Sequence, residues 1–279
     1  MPSSKPVASL VLATYNSAHT LPAALDSLLT QSLPIQLIVV DDGSTDNSLD
    51  LLTNYSDKIM LLKQDHQGPA IARNLGAEYA SSDILLFVDA DMEFGPDYVR
   101  DLITPIKKGD AIGTYTTLEQ VANWDNPLAR CWNIEEGWED QSRFPKNPPQ
   151  LGTDYRAILR SEFEGVGGFD NIGYTDTWSL FHKLGKRPLA THALCYHHNP
   201  DSYKKIYYQA KWAAKRPYKL GLFGALYAVL RSTLPISIMV GMFRSITRLN
   251  PQYLAFKIIY DYGRVFGILE MLISGKLSK

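Results

Sequence analysis

The sequence predicts an α/β fold built on a mostly parallel sheet. Up to residue 115, short apolar segments of strand length alternate with longer amphipathic segments, the pattern of repeated β–α–β units. In addition, the run Ile-Leu-Leu-Phe-Val at 84–88 is typical of a parallel strand buried on both faces. The predicted strands are residues 8–13, 36–40, 59–63 and 84–88.

Helices are predicted after each of these strands, at residues 20–31, 47–55, 69–79 and 96–106. Pro22 and Pro69 lie at predicted N-termini, where a missing N–H costs no helical hydrogen bond. Strands joined by helices in this way lie parallel and are connected by right-handed crossovers.

The regular alternation then stops. Residues 115–150, with three tryptophans and a proline-rich stretch, are expected to form an irregular insertion with one short helix. Residues 151–160 are expected as strand or turn, 175–184 as a helix and 188–196 as a final strand. The segment 163–170 has three glycines in four residues, which indicates a tight backbone passage.

Composition limits the class of protein. The chain has 279 residues, of which 45% are hydrophobic, enough for one large domain with or without an appendage. Two cysteines, Cys131 and Cys195, are too few for a disulfide framework and fit a reducing compartment. The first apolar run, at 7–13, is predicted as a strand and not as a secretory signal.

The net charge of −1 conceals two oppositely charged segments. Residues 1–199 contain 15 Lys or Arg and 26 Asp or Glu, whereas residues 200–279 contain 13 Lys or Arg and 3 Asp or Glu. Such asymmetry indicates two different partners, a metal for the acidic part and an anionic surface for the basic part. We therefore predict a domain at 1–200 and a second region at 201–279.

The second region is predicted to be helical and to associate with a membrane. Its apolar stretches at 220–243 and 254–273 do not suit nucleic-acid binding, and a soluble helical subdomain does not explain its charge. Arg231 and Pro235 oppose a straight span, so interfacial or re-entrant helices are favoured. In the second stretch, Lys257, Asp261 and Arg264 fall on one helical face.

Three carboxylates follow the buried strand 84–88 at alternate positions, namely Asp89, Asp91 and Glu93. If the backbone stays extended, these side chains share one face and converge. Converged carboxylates repel unless a cation lies between them, and a hard divalent ion is suited to such oxygen ligands. The alternative is an acidic surface turn.

Other strand ends also carry polar side chains. Tyr15, next to Thr14 and Asn16, can stack on a nucleobase or can pack against the protein. Asp41 and Asp42 can accept a hydrogen bond from a ligand or can precede a helix cap. Gly68 opens a helix whose N-terminus favours anions, and Arg73 follows one turn later. The carboxyl ends of parallel strands are where open α/β sheets bind ligands.

These motifs, in their order and spacing, resemble the family 2 glycosyltransferases. The matching segments are Thr14-Tyr15-Asn16, Asp41-Asp42-Gly43-Ser44-Thr45-Asp46, Gly68 to Gly76, Asp89-Ala90-Asp91, Gly167-Gly168-Phe169-Asp170 and Asp176. The resemblance covers residues 7–200 and implies a GT-A fold, a Rossmann-like, mostly parallel sheet flanked by helices that binds a nucleotide sugar.

The resemblance also implies residue roles. The residues expected to bind the donor are Thr14, Tyr15, Asn16, Asp41, Asp42, Arg73 and Asp89, with Tyr15 and Asp42 on the base. A divalent metal, Mg²⁺ or Mn²⁺, would be bound by Asp91, with Asp89 contacting the metal or the ribose. Glu93 is included among the expected metal ligands because the pattern Asp-x-Asp-x-Glu is similar to that of polyprenyl-phosphate sugar transferases. His197 or His198 would be a further metal ligand.

The resemblance places the catalytic base at Asp176. The family usually has a Glu-Asp pair there, but this chain has Tyr174-Thr175-Asp176, so the preceding Glu is missing. The alternative role for Asp176 is an N-cap.

The expected function is metal-dependent, inverting transfer of a hexose from a UDP- or GDP-sugar to a lipid-linked acceptor at the cytoplasmic membrane face. One alternative is a nucleotidyltransferase that makes a sugar nucleotide, which predicts a glycine-rich loop that residues 14–18 lack. The other is a non-catalytic, sugar-nucleotide-binding scaffold on membranes.

Overall fold

The computed structural model describes residues 5–172 and 177–275. These residues form two compact units. The first contains residues 5–120, 147–171 and 177–197, and the second contains residues 121–146, 172 and 198–275. That residues 121–146 belong with the C-terminal helices is not predictable from the sequence patterns.

The strands, in chain order, are β1 (Ala8–Thr14), β2 (Ile35–Asp41), β3 (Met60–Lys63), β4 (Ile84–Asp89), β5 (Met92–Phe94), β6 (Gly113–Thr116), β7 (Glu119–Val121), β8 (Ala157–Leu159), β9 (Leu189–Thr191) and β10 (Cys195–His197). The helices are α1 (Leu21–Leu29), α2 (Ser48–Thr53), α3 (Pro69–Glu78), α4 (Tyr98–Lys108), α5 (Pro127–Glu136), α6 (Arg160–Gly165), α7 (Trp178–Leu184), α8 (Tyr203–Ala214), α9 (Gly221–Arg231), α10 (Leu234–Thr247) and α11 (Tyr253–Ser274).

A seven-stranded sheet forms the centre of the first unit, in the order β3-β2-β1-β4-β8-β6-β9. Strands β1 to β4 are parallel, as predicted, whereas β8 runs antiparallel to both β4 and β6. A second sheet has the order β5-β10-β7. The predicted α/β fold with a mostly parallel sheet is therefore confirmed.

The strands differ from the sequence analysis at two places. The backbone does not stay extended after β4, because Ala90 and Asp91 form a turn and β5 then joins the second sheet. The predicted strand 188–196 is two strands, of which β9 pairs with β6 and β10 pairs with β5. Both differences arise from long-range pairing, which apolar periodicity does not report.

Strands β1, β2 and β4 are mostly buried on both faces, whereas β3 at the edge of the sheet is partly exposed. One face carries Leu10, Leu12, Val39, Leu86 and Val88, which pack against α1 and α4. The other face carries Val11, Ile38, Val40, Leu85 and Phe87, which pack against α3 and against Phe163 and Phe169. The sheet is thus a rigid platform, and its strand ends hold their side chains in fixed positions.

Helix α3 approaches the sheet closely at Gly76. A Cβ atom at this position would overlap Cγ1 of Val11 and would lie 3.2 Å from Cγ2 of Val40. The missing side chain therefore sets the distance between α3 and strands β1 and β2, and with it the position of every side chain on α3.

The second unit is a group of helices joined by a buried polar seam. Lys257 Nζ lies 2.8 Å from Glu135 of α5 and 3.1 Å from Asp261, both within hydrogen-bond distance. Asp261 also accepts hydrogen bonds from Ser232 and Ser237, on either side of the break between α9 and α10. Of the three charged residues expected on one face of α11, Lys257 and Asp261 are buried, whereas Arg264 is partly exposed.

Helices α9 and α10 expose most of their apolar side chains. Their exposed residues include Leu222, Phe223, Leu226, Tyr227, Leu230, Leu234, Met239, Met242, Phe243 and Ile246. Among the described residues no single helix has the length and apolar character of a membrane span. Taken together, α9 and α10 have that composition, but they are bent by 61°.

Replacing Gly76 by alanine should destabilise the protein by about 1–3 kcal/mol, because the added methyl group overpacks the contact between α3 and the sheet. Urea denaturation measures the change in unfolding free energy. Gly165→Ala in α6 is the matched control, since nothing lies within 4 Å of a Cβ there. Equal stability of the Gly76→Ala protein and the wild type would contradict the close approach.

Candidate functional site

Most of the predicted site residues lie where β1, β2 and β4 end. In the order β3-β2-β1-β4, strands β2 and β3 are added on one side of β1, and β4 is added on its other side. The direction of strand addition therefore reverses between β1 and β4. Such a reversal opens a crevice at the carboxyl ends of the strands. Thr14 and Asp89 are the last residues of the two strands that flank it.

At the end of β4, Asp89 lies between two arginines. Arg73 Nη2 donates to Oδ1 at 2.6 Å, and Arg156 Nη1 donates to Oδ2 at 2.9 Å. Both guanidinium groups are largely buried, and the carboxylate is less than one-third exposed. Asp154 Oδ2 also lies 3.8 Å from Arg156 Nε, so the two guanidinium groups face two carboxylates in a partly desolvated place.

The electrostatic balance at Asp89 favours the ionised form. Burial alone raises the pKa of the carboxyl, but the charges of Arg73 and Arg156 and the hydrogen bond from Arg156 outweigh burial. The pKa therefore lies far below its ordinary value. Burial lowers the pKa of Arg156, but the carboxylates of Asp154 and Asp89 raise it well above its ordinary value. Asp89 holds both guanidinium groups in place as cations.

A second cluster joins the turn after β4 to the second sheet. His197 Nε2 lies 3.2 Å from Asp91 Oδ2, and its Nδ1 lies 2.8 Å from Glu119 Oε1. Glu119 is 7% exposed, whereas about half of the Asp91 side chain is exposed. Buried Glu119 therefore orients the imidazole so that its other nitrogen faces an accessible carboxylate.

The three carboxylates after β4 are not brought to one point. Strands β5 and β10 pair Met92 with His197 and Glu93 with Tyr196. Because successive residues of a strand point to opposite faces of the sheet, Glu93 lies on the opposite face from His197. Among the described residues, no three His, Cys, Asp or Glu side chains form a group able to hold a metal by themselves.

Asp42 shapes the loop that leads into α3. Its carboxylate accepts hydrogen bonds from the side chain of Gln64 at 2.6 Å and from the backbone N–H groups of Gln67 and Gly68, both at 2.9 Å. His66 Nδ1 lies 2.9 Å from the same carboxylate. The anion expected at the N-terminus of α3 is therefore supplied by Asp42 itself.

The same loop covers one face of Tyr15. The rings of Tyr15 and His66 are stacked, with centroids 3.9 Å apart and planes 19° apart. Tyr15 is 42% exposed. Asn16, held at a positive φ of 51°, accepts from the backbone N–H groups of Thr45 and Asp46. Asp42, His66 and Asn16 thus fix an exposed aromatic ring beside the end of β1.

Two buried oxygens remain at the ends of β1 and β2. Thr14 and Asp41 are register partners on these strands. Thr14 Oγ1 and Asp41 Oδ1 are both buried and have no hydrogen-bond partner among the described residues. Because a buried polar atom without a partner is costly, these two oxygens favour a ligand that donates or accepts there.

The glycine-rich segment predicted to be tight is held by Asn74 of α3. Asn74 accepts from the backbone N–H of Phe169 at 2.9 Å and donates to its carbonyl oxygen at 2.9 Å. Gly167 and Gly168 both have positive φ, and a side chain on Gly168 would contact the Asn74 amide. Asp176, the expected base, lies outside the described residues, and His198 begins the second unit.

The sequence analysis did not predict three residues of the candidate site, namely Arg156, Glu119 and His66. Arg156 lies just before β8, and a prediction that β8 pairs antiparallel with β4 would have placed it near Asp89. Glu119 follows β6 with no recognisable motif, and its role depends on the second sheet. His66 lies two residues before Gly68, a position from which the stacking on Tyr15 is not predictable.

The comparison with known families agrees with this geometry. The model described as Glycosyl transferase family 2 matches residues 9–164, which is more than half of the chain. The chain therefore belongs to the family 2 glycosyltransferases.

Similar proteins extend the comparison. An undecaprenyl-phosphate 4-deoxy-4-formamido-L-arabinose transferase of Yersinia enterocolitica is 30% identical over 138 residues, covering 45% of this chain and 42% of that protein. The alignments with this protein and with a glycosyltransferase of Nostoc sp. span less than half of the relatives' own lengths.

A solved structure resembles the chain over nearly its whole length. The mannosyltransferase of Pyrobaculum calidifontis, solved with GDP-Man and Mn²⁺, matches with a TM-score of 0.61, covering 99% of this chain and 89% of that chain at 17% identity. This likeness confirms the predicted GT-A fold.

Asp89→Asn should destabilise the protein by on the order of 3 kcal/mol, because two largely buried guanidinium groups lose their counter-charge. Since the folded pKa of Asp89 is depressed, its contribution is present above the unfolded pKa of about 3.9 and is lost as the pH falls towards the folded value. Urea denaturation at pH 7 and pH 3 should show a smaller difference between variant and wild type at pH 3.

Asp101→Asn is the control for this substitution, because its pair with Arg100 is exposed and should contribute less than about 1 kcal/mol. An Asp89→Asn protein as stable as the Asp101→Asn protein at pH 7 would contradict the role of Asp89.

Proposed function

We propose that the protein is an inverting, metal-dependent glycosyltransferase. It transfers a hexose from a UDP- or GDP-sugar to a lipid-linked acceptor at the cytoplasmic face of a membrane. The observation that carries this proposal is the pair of guanidinium groups that Asp89 holds at the crevice between β1 and β4.

The paired arginines suit a diphosphate. Arg73 and Arg156 place two guanidinium groups at the crevice, and guanidinium groups bind phosphate oxygens through charge-assisted hydrogen bonds. Because Asp89 already accepts hydrogen bonds from both arginines, its role in this proposal is to orient them. The carboxylate that binds the metal is then Asp91.

The base and ribose of the donor fit the neighbouring strand ends. The exposed ring of Tyr15 offers a stacking surface, and Asp41 Oδ1 offers an acceptor for a base N–H. Asp42 supports this part of the site indirectly, because it holds His66 against Tyr15. The choice between uracil and guanine is left to experiment.

A divalent cation fits the pair Asp91 and His197. Mg²⁺ is typically bound by one or two carboxylates together with substrate phosphate oxygens, and Asp91 is a carboxylate with half of its side chain exposed. When bound, Mg²⁺ or Mn²⁺ would neutralise charge on the departing diphosphate. Glu119 keeps the Nε2 atom of His197 directed at this position.

In the proposed reaction, Asp176 accepts the proton of an acceptor hydroxyl as its oxygen attacks the anomeric carbon. The bond from that carbon to the diphosphate breaks, and the electron pair leaves with the diphosphate. The new bond forms on the opposite face of the sugar, so the configuration inverts. Arg73 and Arg156 stabilise the negative charge that accumulates on the leaving group.

The second unit supports the membrane part of the proposal. The apolar side chains of α9 and α10 point outward, whereas the ionised seam around Lys257 and Asp261 lies inside. An exposed apolar face with basic residues nearby is typical of helices that lie in the membrane interface. The Yersinia relative carries an undecaprenyl-phosphate acceptor in its name, which supports a polyprenyl-linked acceptor here.

Asp176→Asn should lower kcat for sugar transfer roughly 10²–10⁴-fold without changing donor affinity, because only the proton acceptor is lost. Transfer from UDP- and GDP-sugars to polyprenyl-linked acceptors measures kcat, and calorimetry measures donor affinity. Asp57→Asn, at an exposed loop residue, is the control.

A fully active Asp176→Asn protein would refute the base assignment. If the wild-type protein binds a sugar nucleotide but neither transfers nor hydrolyses it, the protein is a binding scaffold. Release of inorganic diphosphate from a sugar phosphate and a nucleoside triphosphate would identify a nucleotidyltransferase instead.

A further inference from the structure

The second unit contains a cleft of about 390 Å³ that shares no residue with the donor site. Its walls come from the segment around α5 and from the turn between α10 and α11. This volume lies in the range of small-molecule sites.

Hydrogen bonds hold both walls of the cleft. Asn133 Nδ2 donates to the carbonyl oxygens of Asp140 and Ser142, at 3.0 and 2.9 Å, which fixes the loop after α5. Asn250 Nδ2 donates to the carbonyl oxygen of Pro127 at 3.2 Å and ties the opposite wall to the start of α5. The cleft is therefore formed before any ligand binds.

The lining combines aromatic surface with free polar groups. Trp124 and Trp138 are both half-buried, and their indole N–H groups donate to no described residue. The guanidinium group of Arg248 likewise makes no hydrogen bond or ion pair within the described chain. Rigid indoles with unused donors are typical of surfaces that take a partly apolar, partly polar ligand.

The charges in the cleft balance. Arg130 and Arg248 contribute two positive charges, and the exposed carboxylates of Glu139 and Asp140 contribute two negative charges. A lone phosphate would meet this acidic rim as well as the arginines. A neutral polyol suits it better, because its hydroxyl groups donate to carboxylates and accept from indole and guanidinium N–H groups.

The cleft is continuous with the apolar surface of α10. Leu249, which lines the cleft at a positive φ of 50°, is 91% exposed. Ile246 and Phe243 lie on the preceding turns of α10 and are 72% and 67% exposed. A ligand with a polar head in the cleft can therefore lay an apolar chain along α10.

We propose that this cleft binds the saccharide head of a lipid-linked acceptor, with its polyprenyl chain along α10. The inference rests on the proposed function and narrows it, because the acceptor then carries a sugar before transfer and is not a bare polyprenyl phosphate. Trp124 and Trp138 pack on the sugar ring, and Arg248 hydrogen-bonds its hydroxyl groups.

The test measures binding to detergent-solubilised undecaprenyl diphosphate that carries N-acetylglucosamine, glucose or galactose, and to undecaprenyl diphosphate without a sugar. The wild-type protein should bind at least one sugar-bearing lipid ten or more times tighter than undecaprenyl diphosphate. Trp124→Ala and Arg248→Ala should each weaken that binding several-fold while leaving donor affinity unchanged. Tyr79→Ala, at an exposed aromatic residue of the first unit, is the control.

Arg248 is exposed, so its substitution tests the cleft even if Trp124→Ala impairs folding. Equal affinity for undecaprenyl diphosphate and all three sugar-bearing lipids overturns the proposal, and so does unchanged binding by the Arg248→Ala protein. The proposed function is tested separately, by sugar transfer and by the Asp176→Asn protein, so its failure is distinguishable from a failure of the cleft.

Discussion

The pairing of Asp89 with Arg73 and Arg156 is the interaction on which the proposed donor site depends. It links α3, the end of β4 and the segment before β8, three parts of the chain that are distant in sequence. Burial would neutralise an isolated carboxyl, but two guanidinium groups keep Asp89 ionised. The carboxylate in turn fixes two guanidinium groups at the crevice, and in the proposed function their N–H groups bind the diphosphate of the donor.

The sequence predicted the part of this site that local patterns determine. Strand ends and a helix start located Tyr15, Asp41, Arg73 and Asp89, because parallel strands bring their carboxyl ends to one edge. Arg156 was not predictable in this way, since its position follows from antiparallel pairing of β8 with β4.

The carboxylates after β4 show the same limit. An alternating pattern predicts one shared face only while the backbone stays extended, and here a turn at Ala90 and Asp91 ends the strand. Glu93 enters the second sheet, whereas Asp91 meets His197. In the second unit, the sequence period predicts that Lys257 and Asp261 share one face of α11, but only tertiary packing shows that both are buried. Tertiary packing likewise shows that the apolar residues of α9 and α10 are exposed.

Calorimetric titration of the protein with UDP- and GDP-sugars, with and without Mn²⁺, tests the central claim most directly. The account predicts that one class of sugar nucleotide binds, that Mn²⁺ strengthens its binding, and that Asp91→Ala removes this strengthening, a loss of roughly tenfold or more in affinity. Failure of every UDP- and GDP-sugar to bind would contradict the account. So would an Asp91→Ala protein that keeps the wild-type response to Mn²⁺.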